Sequence, residues 1–320
     1  VLRRLGSGGM GEVYEAEDTK LGRHAALKFL SRSLSSDPQS LERFQREARA
    51  ASSLNHPNIC VIYEVDEHEG RPFIAMELLQ GSTLRQKIAG TVLPLDEVLE
   101  LGIQICDGLD AAHSKGIIHP DLKPENLFVT GRQQAKILDF GLAKLAFDAP
   151  VGPDSPTVAP SQLSTPGSTL GTLAYMSPEQ VLGKALDVRT DLYSFGAVLY
   201  EMVTGTMLVQ SQVTGAIFDD ILHKPSASIL SNNPKLPKDL DRLISKALEK
   251  DRELRYQSAA ELRSDLKRLK RDLSSRASSG NIAARPSHKR PLTAIAVLDG
   301  SPTVGLTDDE VISFLRLLLP

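Results

Sequence analysis

The chain has 320 residues, 41% hydrophobic and 24% charged, with a formal net charge of -3 at pH 7. That length exceeds one small core and suits about two domains or lobes, and the composition is ordinary for a soluble globular protein. The slightly acidic balance argues against nucleic acid as a primary partner, no stretch approaches the ~18 apolar residues of a spanning helix, and no secretory signal opens the chain.

The chain begins at Val1 inside a strand-like run, which suggests a fragment or a sequence trimmed at its first strand. Residues 12–17 alternate Val13, Tyr14 and Ala16 with charged residues, and 24–30 form an apolar run; both read as strands. Pro38 suits the first turn of a helix whose apolar positions Leu41, Phe44, Ala48 and Ala51 recur at helical spacing. Two strands at 60–66 and 72–79 flank a hairpin signal at Glu69-Gly70. The first ~80 residues thus predict a mostly antiparallel sheet with one helix. Beyond them the chain reads as helices at 95–114, 187–204, 240–248 and 259–273, the second apolar enough to be a buried central helix. Residues 148–169, dense in Pro, Ser, Thr and Gly, read as irregular, and the Ser- and Arg-rich 274–291 as a linker. Residues 292–320 form a tail with one strand-like and one helix-like run. Cys60 and Cys106, the two cysteines, sit in apolar runs and read as small buried thiols in a reducing, cytoplasmic setting.

The chemistry concentrates in two places. At 117–126 the run IIHPDLKPEN sets Asp121, Lys123 and Asn126 at fixed offsets, with Asp139 in Asp139-Phe140-Gly141 just downstream. Phosphoryl transfer requires such a set: an acid for the attacking hydroxyl, a cation for the moving phosphoryl group, and oxygen ligands for Mg²⁺. Far upstream, Leu5-Gly6-Ser7-Gly8-Gly9-Met10-Gly11-Glu12-Val13 is a G-x-G-x-x-G-x-V loop whose glycines let backbone approach phosphate oxygens. A dinucleotide fingerprint looks similar, but there the glycines open a helix, whereas here a strand follows; a Walker A loop lacks support because no Gly-Lys-Ser/Thr follows. Lys28 ends an apolar strand run and takes Glu47 as its candidate partner. The plain alternatives are a strand-edge lysine whose head reaches solvent and a solvated helix glutamate.

Taken in order, the Gly-rich loop, Ala26-Leu27-Lys28, Glu47, HPDLKPEN, DFG, Ser177-Pro178-Glu179, Asp191 and Arg255 resemble the eukaryotic-like serine/threonine protein kinases, bacterial type, over roughly residues 1–272. The resemblance implies an α+β, bilobal protein kinase fold: an N-lobe at 1–79 with an antiparallel sheet and one helix, and a mainly helical C-lobe at 80–273. It implies a transferase that moves the γ-phosphoryl group of ATP, with Mg²⁺, to Ser/Thr hydroxyls of protein substrates. By the same resemblance Lys28 holds the α/β-phosphates, Asp121 orients the substrate hydroxyl and accepts its proton, Lys123 neutralises the γ-phosphate, and Asn126 and Asp139 ligate Mg²⁺. Leu5, Gly6, Gly8 and Gly11 belong to the phosphate loop, Val13 and Ala26 cover the adenine, Phe128 lies beneath it, Met76 is the gatekeeper, and Glu77 and Leu79 offer backbone hydrogen bonds. Thr172 shapes the substrate pocket against Asp121. His119 and Phe140 join an apolar spine, Asp191 anchors the catalytic-loop backbone, and Glu179 pairs with Arg255.

Two departures stand out. Pro120 replaces the arginine of His-Arg-Asp, which puts control by an arginine–phosphate switch in doubt and gives a pseudokinase or nucleotide-binding scaffold its one support. Leu208-Val209 replaces a frequent Pro-Phe, a packing change. A small-molecule kinase lacks support, since the SPE segment, Asp191 and Arg255 belong to the protein-kinase helical lobe. Ser164, Thr165, Ser168 and Thr169 are candidate autophosphorylation sites, which leaves room for self-association. The basic run around Lys267, Arg268, Lys270 and Arg271 reads as a solvated face; in bacterial relatives a membrane helix often follows this point, so a longer chain could be anchored with the kinase on the cytoplasmic side. Residues 292–320 could begin a truncated further domain.

Overall fold

The computed structural model describes residues 1–8, 11–31, 38–140 and 170–282. Gly9, Met10, Gly141 and the candidate phosphorylation sites at 164–169 lie outside the described residues, as do the tail beyond Ile282 and the side chain of Glu47.

Five antiparallel strands make the first sheet: β1 (Arg3–Gly8), β2 (Gly11–Asp18), β3 (Arg23–Leu30), β4 (Ile62–His68) and β5 (Arg71–Glu77), in the order β1-β2-β3-β5-β4. The β2–β3 turn closes because Asp18 Oδ1 accepts from the backbone of Lys20 and Leu21, both at 3.2 Å, and Gly22 takes φ +63°. The β4–β5 hairpin turns at Glu69 (φ +51°) and Gly70 (φ +73°), two successive left-handed residues as a tight hairpin demands. Helix α1 (Pro38–Ser52) buries Phe44 and Ala48 against Leu30 and Ile74, so its amphipathic stripe builds the small core behind the sheet.

Next come the short strand β6 (Gly81–Thr83) and helix α2 (Leu84–Lys87), whose N-cap Thr83 and Gln86 form a capping box. Helix α3 (Leu95–His113) carries Asp96 and Glu97 in its first turn, favourable at the positive end of the helix dipole. A 3₁₀ turn (Pro124–Asn126) leads into β7 (Leu127–Thr130) and β8 (Ala135–Ile137), and β7 pairs with β6 on one side and β8 on the other in a second, three-stranded sheet. Helices α4 (Leu170–Leu173) and α5 (Pro178–Val181) precede α6 (Val188–Thr204), buried from Thr190 to Val203 on every side. Asp187 caps α6 by accepting from the Arg189 N–H at 2.9 Å, and Gly205 ends it at φ +72°. Helices α7 (Thr214–His223), α8 (Ile229–Asn232), α9 (Lys238–Ala247) and α10 (Ala259–Ile282) surround it. The main core forms around α3, α6, α9 and the first turns of α10.

Some bounds differ from the expected ones. The strand expected at 60–66 begins at Ile62, because the backbone of Asn58 and Cys60 bonds instead to Ile137 of β8, both at 2.9 Å. The strand expected to reach Leu79 stops at Glu77. Helix α10 runs on to Ile282, into the stretch read as linker. Serine composition misled there: Ser274 Oγ donates to the Lys270 carbonyl at 2.9 Å and Ser275 Oγ to that of Asp272 at 3.0 Å, so these hydroxyls satisfy helical carbonyls.

Candidate active site

The β1–β2 hairpin sets the Gly-rich loop, with Gly6 opposite Val13 and Gly8 opposite Gly11. Gly11, at φ +147°, admits no other residue: a Cβ there would sit 1.8 Å from the Phe29 carbonyl oxygen. Around Gly6 a Cβ would meet nothing within 4 Å, so backbone there faces open space. Val13 stands opposite Lys28 in the β2–β3 register, and Ala26 stands opposite Met76 in β3–β5. Leu5 is exposed, and Phe128 of β7 is half-buried opposite Thr83.

Lys28 Nζ lies 2.7 Å from Asp139 Oδ2, both side chains largely shielded from solvent. This is the described partner of Lys28; the expected pairing with Glu47 falls outside the described residues. Asp139 takes φ +55°, a left-handed conformation uncommon for a residue with a side chain and concentrated where function holds a backbone in place. On the catalytic loop Lys123 Nζ reaches Asp121 Oδ2 at 2.8 Å and donates to Thr172 Oγ1 at 3.2 Å. Asn126 Nδ2 donates to the Asp121 carbonyl at 2.8 Å and to its Oδ2 at 3.1 Å. Thr172, expected to contact Asp121, thus shares Lys123 with it.

The two groups are joined through backbone. Leu127 and Ile137 are register partners, and the Leu138 N–H donates to the Asn126 carbonyl at 2.8 Å, so Asn126 and Asp139 leave adjacent strand ends together. With Asn126 Nδ2 committed to Asp121, its Oδ1 is the atom left for a cation. One carboxylate and one amide oxygen suit Mg²⁺, which keeps waters and shares phosphate oxygens rather than demanding a protein cage. The donor set thus fits the metal.

The hinge follows β5. Glu77 N–H donates to the Val61 carbonyl at 2.9 Å, and its carbonyl accepts only a long 3.9 Å bond from the Cys60 thiol among the described residues, which leaves a lone pair for a ligand; Leu79 makes no backbone hydrogen bond among the described residues. Behind Met76 a cavity of about 20 Å³ is lined by Cys60, Ile62, Ile137 and Phe140. Burial, reinforced by Glu77 and Asp139, pushes the Cys60 thiol up to about 12, so it is inert.

The frame beneath the loop is held by Asp191. Its Oδ2 accepts the His119 backbone N–H at 2.8 Å and lies 2.7 Å from His113 Nε2. His119 Nε2 lies 2.7 Å from the Leu138 carbonyl, and its ring meets Phe140 edge-on at 4.9 Å. Glu179 and Arg255 form a buried bidentate pair at 2.8 and 3.0 Å. Burial acts to raise the Glu179 carboxyl, but the Arg255 hydrogen bonds and charge outweigh it and hold the group below its ordinary value.

Several participants were not foreseen. Gln180 Nε2 donates to the Pro120 carbonyl at 2.6 Å, which ties the catalytic loop to the SPE segment without an arginine. Lys136 pairs with Glu77 at 2.7 Å. Arg85 of α2 gathers Glu125 at 2.8 Å, Glu201 at 2.6 Å and the Tyr175 hydroxyl. Lys136 carried a readable signal, a lysine in an apolar strand run, the same one that marks Lys28. His113 and the Arg85 set carried none.

A glycine-rich hairpin paired with the strand of Lys28, a Lys28–Asp139 pair and a backbone-linked acid–lysine–asparagine loop are the arrangement of the protein kinase class. The family model "Protein kinase domain" matches residues 1–265, and the chain belongs to that family. It is 38% identical over 268 residues to the probable serine/threonine-protein kinase SCO3848 of Streptomyces coelicolor, covering 82% of this chain and 38% of that protein. It is 36% identical over 271 residues to the serine/threonine-protein kinase PknB of Mycobacterium leprae, covering 83% of this chain and 42% of that one. The chain thus spans about two fifths of the length of these curated relatives. Among solved structures it is similar to the Mycobacterium tuberculosis PknI kinase domain, with a TM-score of 0.63 and 27% identity, covering 83% of this chain and 94% of that one.

Proposed function

We propose that the chain is a catalytically competent serine/threonine protein kinase that transfers the ATP γ-phosphoryl group to Ser or Thr hydroxyls of proteins. The observation that carries this reading is the meeting of Lys28–Asp139 and Asp121–Lys123–Asn126 through the Leu138–Asn126 hydrogen bond.

The roles follow from chemistry. Lys28, now paired with Asp139, is the cation that a nucleotide's α/β-phosphates would share. Asn126 Oδ1 and the Asp139 carboxylate would hold Mg²⁺, which when bound neutralises charge on the phosphate oxygens. The Asp121 carboxylate, oriented by Asn126 and Lys123, accepts a hydrogen bond from the incoming hydroxyl and takes its proton as the oxygen attacks the γ-phosphorus, while the bond from that phosphorus to the β–γ bridging oxygen breaks and ADP leaves. Lys123 stands beside it to offset charge on the moving group. Holding hydroxyl and phosphate in line supplies about 7–11 kcal/mol of the barrier reduction. Glu77 through its carbonyl and Leu79 through its N–H would read the adenine edge, between Val13 and Ala26 above and Phe128 below.

Pro120 is the feature that favours a scaffold without turnover; against it stands the retained Asp121, on a loop that the Gln180 side chain ties to the SPE segment through the Pro120 carbonyl. Protein substrates, self-association during autophosphorylation, and action on the cytoplasmic side of a membrane belong to the same proposal. Among the described residues no helix is long and apolar enough to cross a membrane. The test is incubation with Mg²⁺ and γ-labelled ATP plus myelin basic protein, followed by phosphoamino-acid analysis. Label on Ser and Thr is expected; ATP binding with no transfer to any protein would leave only the scaffold.

A further inference from the structure

Away from the cleft, a cavity of about 480 Å³ opens between the end of α6, the loop behind it and the segment after α7. That volume falls in the range of about 300–1,000 Å³ typical of small-molecule sites. Leu208 and buried Val209 are among its apolar lining.

Lys250, Lys224, Asp220 and several hydroxyl-bearing residues line the same cavity. Lys250 is half-buried, and its Nζ uses the Tyr193 hydroxyl at 3.3 Å and the Asp220 carbonyl at 3.4 Å. Neither is an anion, and among the described residues no carboxylate lies within ion-pairing distance of Lys250. The Asp220 carboxylate is taken by Lys224, at 3.5 Å. The hydroxyls of Tyr200, Ser211 and Ser226 line the same cavity and have no hydrogen-bond partner among the described residues. An ammonium half-withdrawn from water without a counter-ion is costly.

From this arrangement we infer that the cavity is a binding site for a small amphiphilic anion, a carboxylate on a compact apolar body. The carboxylate would sit against Lys250 and the free hydroxyls, and the apolar body against Leu208 and Val209. The state of Lys250 agrees: burial, with Arg255 adding to it and Asp220 and Glu249 opposing, pushes its pKa down to about 8. Lys224, from the end of α7, and the Tyr193 hydroxyl of α6 are the other charged or titratable groups against it. A bound anion restores the charge, so binding at pH 8.5 draws a proton from solution. This inference does not depend on the reading of the cleft.

The experiment is calorimetric titration of the full chain with phenylacetate, and with neutral phenylacetamide. Expected are one site per chain, at least tenfold weaker binding of the amide, and proton uptake at pH 8.5 in buffers of different ionisation heat. Val209→Phe, which adds bulk to the apolar lining, is expected to weaken phenylacetate at least tenfold while leaving phosphoryl transfer unchanged. Lys250→Met is expected to abolish the preference for the acid over the amide. Equal binding of acid and amide by the unmodified chain, no proton uptake, or full affinity in folded Val209→Phe would overturn the inference. The first two readings need no variant, so they decide the matter even if both substitutions unfold the protein.

Discussion

Lys136 on β8 places its Nζ 2.7 Å from Glu77 Oε2 at the hinge, and the same ammonium reaches the Ile59 carbonyl at 3.4 Å. Lys136 is 7% exposed and lies three positions before Asp139. One ion pair therefore connects the segment proposed to read adenine with the strand that delivers the metal-binding aspartate. Lys136→Met removes the cation and leaves Glu77 partly buried without its partner. The expected result is a rise of about tenfold in KM for ATP, equivalent to ~1.4 kcal/mol, with kcat changed much less. Steady-state kinetics against ATP check it; an unchanged KM refutes a link between this pair and nucleotide binding.

The Glu179–Arg255 pair is a stability element. Arg255→Met strands a buried carboxylate and is expected to cost about 3–5 kcal/mol in urea unfolding. The pair also fixes a pH dependence. Glu179 is held below its ordinary value in the folded chain, so its contribution is complete above the unfolded value near 4.5 and is lost as pH falls through the folded value. Thermal scans should show the unmodified chain losing stability through this acid window more steeply than Glu179→Gln, which has no such charge to lose.

The Gln180–Pro120 bond predicts independence from an arginine–phosphate switch. Phosphatase-treated protein is expected to retain most of its transfer activity. Gln180→Met leaves a buried carbonyl unpaired, at about 1–3 kcal/mol, and is expected to lower kcat severalfold through a loosened catalytic loop. Strict dependence of the unmodified chain on a loop phosphate would contradict this.

Gly11 has no tolerance for a side chain. Gly11→Ala puts a methyl 1.8 Å from the Phe29 carbonyl oxygen, so the hairpin must shift. Nucleotide affinity should fall at least tenfold, measured by binding of a fluorescent ATP analogue, whereas Gly6→Ala, with open space around it, should preserve the hairpin and act only through contact with phosphate.

Residue chemistry that is local in sequence was readable without coordinates. The glycine hairpin, Asp121, Lys123, Asn126 and Asp139 lie in short runs whose order and spacing carry their meaning. The amphipathic stripe of α1 and the all-round apolar character of α6 likewise reveal which elements lie at the core. Contacts between distant elements were not readable. Lys136 and Glu77 are separated by 59 positions and Arg85 and Glu201 by 116, and nothing in either local run names the other. Composition failed at Ser274 and Ser275, where hydroxyls that suit a linker turn back onto helical carbonyls. Pro120 was legible as a departure, but its replacement anchor, Gln180, depends on the fold.

In the proposed function, Lys28, Asp121 and Asp139 serve one nucleotide and one hydroxyl together. Single-turnover transfer from γ-labelled ATP, with nucleotide affinity measured on the same samples, tests it most directly. Asp121→Asn should bind Mg²⁺–ATP near normally and transfer at least ~10²-fold more slowly, as loss of a positioned base requires, while Asp139→Asn and Lys28→Met should lose transfer together with metal-dependent affinity. Transfer near the unmodified rate in folded Asp121→Asn, or nucleotide binding indifferent to both Lys28 and Asp139, would contradict the account.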